Sequence, residues 1–396
     1  MKKHVGVVTA ARSDYGLLLP LIENIYSSTD FDLTVYATGM HFSKKHGATV
    51  EEIRKAPWAS ELIEIPSSPE NDSAEAAAHG IARGIEGFSA AYNARRPDIV
   101  LVMGDRMDAI ASIIAALPFD IPCAHVSGGE LSEGVVDDRV RHAITKMSHI
   151  HFTAHPVFAK RVIQMGEHPK RVIMSGEPGL DLLSKIPLVE GDRVRAEYKL
   201  NTDHPITVFT MHPVGPERNQ NRQAIKTILK VASKIKSQIM FTYPNADPGS
   251  APIIEEIKAY CAMHSGCKAK PSLGRQNYLS LISIADCMVG NSSSGLVEAA
   301  SFQLPVVNIG DRQRGRISPN NVINAPLEEN RIFAAWKKAL SPSFRKSLDG
   351  TKNPYGDGNS VKRILNALRE IPDYSKLTNK TFYDLSLEHV YGRRIR

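Results

Sequence analysis

Short apolar, β-branched runs alternate along the chain with longer segments of helical period. "HVGVVTA" (4–10) precedes the amphipathic "DYGLLLPLIENIYSS". "DLTVYATG" (32–39), "LIEIP" (62–66), "DIVLVMG" (98–104), "PCAHVS" (122–127), "HIHFTA" (149–154) and "RVIMSG" (171–176) follow, with helical patterns among them. Strands apolar on both faces and separated by helices predict a parallel sheet covered on both sides. The pattern breaks over 184–205, where "SKIPLVEGDRVRAEYKLNTDHP" is polar with a proline near each end and reads as an interdomain connection. It restarts with "ITVFTMHP" (206–213), "QIMFTYP" (238–244), "CMVGN" (287–291) and "PVVNIG" (305–310). The prediction is an α/β chain of two Rossmann-like, doubly wound lobes, residues 1–185 and 186–365. Ligands are expected at the C-terminal strand ends, facing an interlobe cleft. The segment 366–396 is a candidate to pack back on the first lobe. Short-period repeats and low-complexity segments are absent.

A length of 396 residues suits two domains. Hydrophobic content of 42% with 23% charged residues is that of an ordinary soluble globular chain. The formal charge of +7 and pI of about 9.1 admit nucleic acid, a membrane surface or an anionic small ligand. The densest basic cluster, "GRRIR", has no aromatic interleaving, which argues against nucleic acid. No run of 18 apolar residues is present, so a membrane-spanning helix is not expected. Arg12 and Asp14 end the first apolar run too early for a signal peptide. The four cysteines include no C-x-x-C pair, which disfavours zinc and redox motifs. Cys123 and Cys287 lie in apolar runs as small hydrophobes, which fits a reducing cytoplasm.

The stretch "GNSSSGLVEA" (290–299) reads as a strand end, a polar turn and a helix start. Unpaired backbone N–H groups at a helix start, small residues, and the hydroxyls of Ser292, Ser293 and Ser294 beside Gly295 suit a phosphate or diphosphate. Glu298 has the wrong charge for phosphate, but a carboxylate accepts hydrogen bonds from ribose hydroxyls. A nucleoside diphosphate would engage both features. The plain alternative is a serine cap with an exposed glutamate. Neither a G-x-x-x-x-G-K-[ST] loop nor a G-x-G-x-x-G turn is present, so a P-loop or a dinucleotide is not indicated.

Other strand ends carry chemistry too. "VMGDRMDA" offers Asp105 and Arg106; "AHVSGGE" offers His125, Ser127 and Glu130; "VVDDRVRHA" adds Asp137, Asp138, Arg141 and His142. "TMHP" places His212 after the first strand of the second lobe, "YPNADPGS" places Asn245 and Asp247 after the next, and "GDRQRGR" places Arg312 and Arg316 after the last strong one. Each has a structural reading as a helix cap, ion pair, core histidine or solvated surface. Six such ends together make that reading improbable for all of them. No metal-ligand spacing and no G-x-S-x-G nucleophile elbow are found.

With "TAARSDYG", "DDRVRHAITKMSHIH" and the stretches above, the chain resembles the hydrolysing UDP-N-acetylglucosamine 2-epimerases, over residues 9 to 316 in the family's order. The resemblance implies a glycosyltransferase-B-like fold, a homodimer or homotetramer, a nucleotide-sugar substrate and no cofactor. It also implies a reaction: UDP is eliminated across C1 and C2 to leave a glycal, and water adds with C2 inverted to give N-acetylmannosamine. Arg12, Arg106, Ser292, Ser293 and Arg312 would then bind phosphate or adjacent groups, with Glu298 on the ribose. His41 would stand near the sugar, and Asn245 and His212 would line the nucleotide or sugar side. Asp105, Glu130 and Asp137, with His212, are the candidate acid and base groups.

One position departs from the pattern. Some members carry a catalytic glutamate two residues after the histidine of "AHVSGGE", where this chain has Ser127. The departure leaves open whether the proton passes to another carboxylate or the substrate differs, with UDP-2,4-diacetamido-2,4,6-trideoxyglucose as the alternative. Two further readings compete with a hydrolysing epimerase. A glycosyltransferase or non-hydrolysing epimerase would leave the "GGE" and "DD" motifs unexplained. A silent nucleotide-sugar binder would bind UDP without turnover.

Overall fold

The structure, a computed structural model, describes residues 2–43, 47–71, 73–131, 136–183, 185–215, 217–244 and 249–386. It divides into two compact units, one of residues 1–182 with 355–396 and the other of 183–354.

The first unit is built on seven parallel strands: β1 (Lys3–Thr9), β2 (Phe31–Thr38), β3 (Leu62–Ile65), β4 (Ile99–Met103), β5 (Cys123–Val126), β6 (Ile150–Thr153) and β7 (Val172–Met174). Their order is β3-β2-β1-β4-β5-β6-β7. The period of two in β1 sends Val5 and Val7 to one face and Val8 to the other. Val5 and Val7 pack with Leu18, Leu21, Ile22 and Ile25 of helix Arg12–Tyr26 and with Ile364 and Leu368 of helix Ser360–Glu370. Val8 packs with Tyr36, Phe88, Tyr92 and Ile113. Both faces are therefore covered, as the unbroken apolar runs require.

The second unit repeats the scheme with six parallel strands: β8 (Ile206–Thr210), β9 (Gln238–Thr242), β10 (Cys267–Lys270), β11 (Cys287–Gly290), β12 (Val306–Ile309) and β13 (Val322–Ala325). Their order is β10-β9-β8-β11-β12-β13. Phe209, Phe241 and the fully buried Trp336 fill one face, and the Trp336 indole N–H donates to Thr207 Oγ1 at 3.3 Å. In each sheet the strand order reverses beside the first strand, between β1 and β4 and between β8 and β11. Such reversals open a crevice at the C-terminal strand ends.

The polar stretch 184–205 is not a free connection. It forms helix Gly191–Tyr198, and Val194, Tyr198 and Leu200 enter the core of the second unit with Leu279 and Leu304. Two apolar residues four apart are enough to seat a short helix whose other faces are charged.

Candidate functional site

In the first unit, four polar groups gather at the ends of β1, β2 and β4. Asp14, in the first turn of helix Arg12–Tyr26, accepts hydrogen bonds from the N–H groups of Ala10 and Ala11, both at 2.7 Å. Arg12 lies outside this knot, with its guanidinium 3.6 Å from Glu52 and both side chains largely exposed. His41 is fully buried, with Nε2 2.9 Å from Thr9 Oγ1 and Nδ1 2.8 Å from Thr49 Oγ1. Burial, and then the charge of Arg106, pushes its pKa down to about 4, so the ring is neutral at pH 7. Asp108 packs against Gly39, whose φ is +53° and where a Cβ would come within 2.5 Å of the Asp108 carboxyl carbon. Only glycine fits there. Burial raises the pKa of both Asp14 and Asp108, while Arg106 opposes the rise.

A second group stands at the ends of β4 and β5. The Asp105 carboxylate accepts from the Arg141 guanidinium, which is 2% exposed. Arg141 also lies 3.7 Å from Asp138, which in turn lies 3.5 Å from His142 Nε2. Asp137 sits exposed in the first turn of helix Val136–Met147. His125 is fully buried, with Nε2 2.8 Å from the Gly104 carbonyl and Nδ1 3.0 Å from Thr145 Oγ1. Burial lowers its pKa to about 3, and with both nitrogens engaged it clamps the β4 turn to that helix. Glu130 is buried beside the charge of Arg161, which donates to the Gly129 carbonyl. Ser127 donates to Glu177 at 2.9 Å.

In the second unit, β11 ends at Gly290, where φ is +138° and an added Cβ would lie 1.9 Å from the Thr210 carbonyl oxygen. Asn291 follows and fixes its surroundings. Its Oδ1 accepts from the His212 N–H at 2.7 Å and its Nδ2 donates to the His212 carbonyl at 2.9 Å. Its own carbonyl accepts from Arg312 at 3.1 Å and Gln313 at 2.8 Å. Burial, then the Arg312 charge, lowers the His212 pKa to about 4. The serine stretch differs from the helix start expected of it. Ser293–Gly295 form a single 3-10 turn, and the helix after it, Glu298–Ser301, has four residues. The helix is too short for a developed dipole. The donors on offer are therefore the hydroxyls and local N–H groups, with Ser294 Oγ 2.6 Å from the Tyr278 hydroxyl. Glu298 is partly buried and acts electrostatically on Arg275 and Tyr278. Asn245 and Asp247 lie outside the described residues.

The first unit thus offers carboxylates, neutral histidines and arginines at its strand ends, a set suited to moving protons. The second offers hydroxyls, Arg312, a neutral His212 and one carboxylate, suited to a sugar diphosphate. Among the described residues, no group of three or more His, Cys, Asp or Glu is placed to hold a metal. Sequence reasoning passed over Asp14, Asp108, Glu177, Asn291, Tyr278 and Arg275 as site residues. Asp14, Asp108 and Asn291 stand inside quoted motifs, and Glu177 follows β7 as Glu130 follows β5. Tyr278 and Arg275 lie on helix Arg275–Ile284, directly before β11, and carry no motif of their own.

The family model described as UDP-N-acetylglucosamine 2-epimerase matches residues 23–369. The chain is 36% identical over 381 residues, 96% of its length and 99% of the other's, to the hydrolysing UDP-N,N'-diacetylbacillosamine 2-epimerase of Legionella pneumophila. It is 34% identical over 387 residues, 97% of its length and 100% of the other's, to the hydrolysing GDP/UDP-N,N'-diacetylbacillosamine 2-epimerase of Campylobacter jejuni. The fold is similar to that of the UDP-GlcNAc 2-epimerase of Neisseria meningitidis solved with UDP-GlcNAc, at a TM-score of 0.78 and 18% identity, over 93% of this chain and 100% of that one.

Proposed function

The chain belongs to the UDP-N-acetylglucosamine 2-epimerase family, as an enzyme of its hydrolysing branch, and on that premise we propose that its substrate is UDP-N,N'-diacetylbacillosamine. One observation carries this choice of sugar: the relatives at 36% and 34% identity act on that sugar and align over nearly the whole chain. Serine at position 127, where some members carry glutamate, is in keeping with it.

The reaction needs a base at C2, an acid for hydration of the glycal, and positive or hydrogen-bonding groups for the departing diphosphate. Ser292, Ser293, Ser294, the Gly295 backbone, Arg312, Arg12 and Arg106 are proposed for the diphosphate and its neighbours, with Glu298 on the ribose hydroxyls. Asn245 is proposed for the nucleotide side and His41 for the sugar. Asp105, Glu130, Asp137 and His212 are the proposed proton-handling groups, and the partly buried Asp108, whose pKa is raised by burial, joins them. His125 is assigned to holding the loops. All four cysteines are free thiols, in keeping with a cytoplasmic enzyme.

The test is incubation of the protein in D₂O with UDP-N,N'-diacetylbacillosamine and, separately, UDP-N-acetylglucosamine, followed by NMR. The expected result is free 2-epimeric sugar deuterated at C2, with UDP, formed faster from the diacetamido substrate. Faster turnover of UDP-N-acetylglucosamine, the substrate in the family's own description, would overturn the choice of sugar.

A further inference from the structure

Ser127 follows β5 directly with φ of +61°, one of five left-handed non-glycine residues among those described. That conformation costs a non-glycine residue about 1–2 kcal/mol. Its N–H donates to the Phe152 carbonyl at 2.8 Å, and its Oγ donates to Glu177 Oε2 at 2.9 Å. Glu177 is equally fixed. Its N–H donates to the Tyr355 carbonyl at 2.8 Å and its own carbonyl accepts from the Leu180 N–H at 3.1 Å. Ser127 is 8% and Glu177 6% exposed.

Removing a carboxylate from water costs several kcal/mol. A loop that only had to turn would be served by glycine at 127, as at the two positions that follow, and by an uncharged residue at 177. The pair also stands where proton chemistry is assigned. The Gly104 N–H, next to Asp105, donates to the Val126 carbonyl at 3.0 Å, so the Ser127 and Asp105 loops are neighbours.

We propose that Ser127 and Glu177 act as one relay base in the elimination, a role that rests on the epimerase reading. Ser127 Oγ takes the proton from C2 of the sugar as its own proton passes to Glu177 Oε2. The C2–H bond breaks, the C1–C2 double bond forms, and the C1–O bond breaks with its electron pair leaving on UDP. Serine ends neutral and Glu177 ends as the carboxylic acid, which afterwards returns its proton to water. Ser127 touches the substrate; Glu177 acts through it as a positioning residue. A bare serine hydroxyl is too weak a base, and the buried carboxylate supplies what it lacks.

The experiment uses the full chain with both nucleotide sugars, measuring kcat, KM, the pH profile of kcat, C2 deuteration in D₂O and UDP-induced thermal stabilisation. Glu177→Gln keeps the shape but cannot take the proton, so kcat should fall about 100-fold or more, with KM and UDP stabilisation within about threefold of the parent. Glu177→Asp should recover part of the loss. Ser127→Gly suits the left-handed backbone, so a merely structural serine would be replaced without loss or with a gain in stability. The relay predicts instead a similar fall in kcat and the disappearance of the acid limb of the pH profile. The double variant should be no slower than the poorer single one. Ser127→Gly within about threefold of the parental kcat would overturn the relay, as would losses that multiply in the double variant. If Glu177→Gln does not fold, Ser127→Gly decides alone. An unaltered chain that turns over neither sugar would overturn the epimerase reading and the relay together, whereas an active parent with an equally active Ser127→Gly overturns the relay only.

Discussion

Glu298 and Asp105 separate binding from chemistry at single positions. Glu298→Ala removes the proposed ribose acceptor, and hydrogen bonds to a charged group are worth roughly 1.5–3 kcal/mol. KM should therefore rise about tenfold or more while kcat stays within about threefold, as initial-rate kinetics would show. Asp105→Asn keeps the side-chain shape but removes the charge facing the buried Arg141. We expect kcat to fall about 100-fold or more with UDP still protecting against heat. The variant should also lose roughly 1–3 kcal/mol of stability in urea titration, because the buried guanidinium loses a charged acceptor. A stable variant of normal kcat would remove Asp105 from the proton-handling set.

Among the elements, the turn after β11 decides most. Gly290→Ala would drive a Cβ into the Thr210 carbonyl, at 1.9 Å, and hold an L residue at φ of +138°. Thr210 belongs to β8, which pairs with β11, so the sheet cannot yield without breaking its ladder. We expect a loss of about 3 kcal/mol or more in urea unfolding, or no soluble protein. The strands themselves were largely legible, because a strand buried on both faces leaves an unbroken apolar run. The two that escaped notice, β10 as "CKAK" and β13 as "VINA", are the edges of the second sheet. Lysine and asparagine are what an edge tolerates, so the apolar signal fails there. The strand ends announced the candidate site through clustered Gly, Asp, Arg and Ser. The long-range pairing within it did not, since Glu177 meets Ser127 only once β5 and β7 share a sheet.

For the whole molecule, pH should act chiefly through buried histidines. Burial holds His41, His149 and His212 near 4 and His125 near 3, against 6.5 in the unfolded chain. Between those values the unfolded chain binds protons that the folded chain refuses, so stability is lost as pH falls from about 6.5 toward 4. Above about pH 7 these residues contribute no slope. Asp14 and Asp108, raised by burial, work in the opposite direction at the acid end of the window. Urea midpoints measured from pH 8 to pH 4.5 should hold level and then fall. A midpoint flat down to pH 4.5 would mean these rings are wet.

The division of the chain has a consequence for the order in which it is made. The second unit is one uninterrupted stretch, 183–354, set inside the sequence of the first. A ribosome therefore delivers everything the second unit needs before the first is complete. Until helix Ser360–Glu370 emerges, the sheet face bearing Val5 and Val7 has no Ile364, Leu365 or Leu368 to cover it. During that interval the earliest-made half of the protein waits with this apolar face covered only in part, by helix Arg12–Tyr26, and it is the half that nascent-chain chaperones would meet. Chains arrested before residue 355 should carry a finished second unit and an unfinished first one.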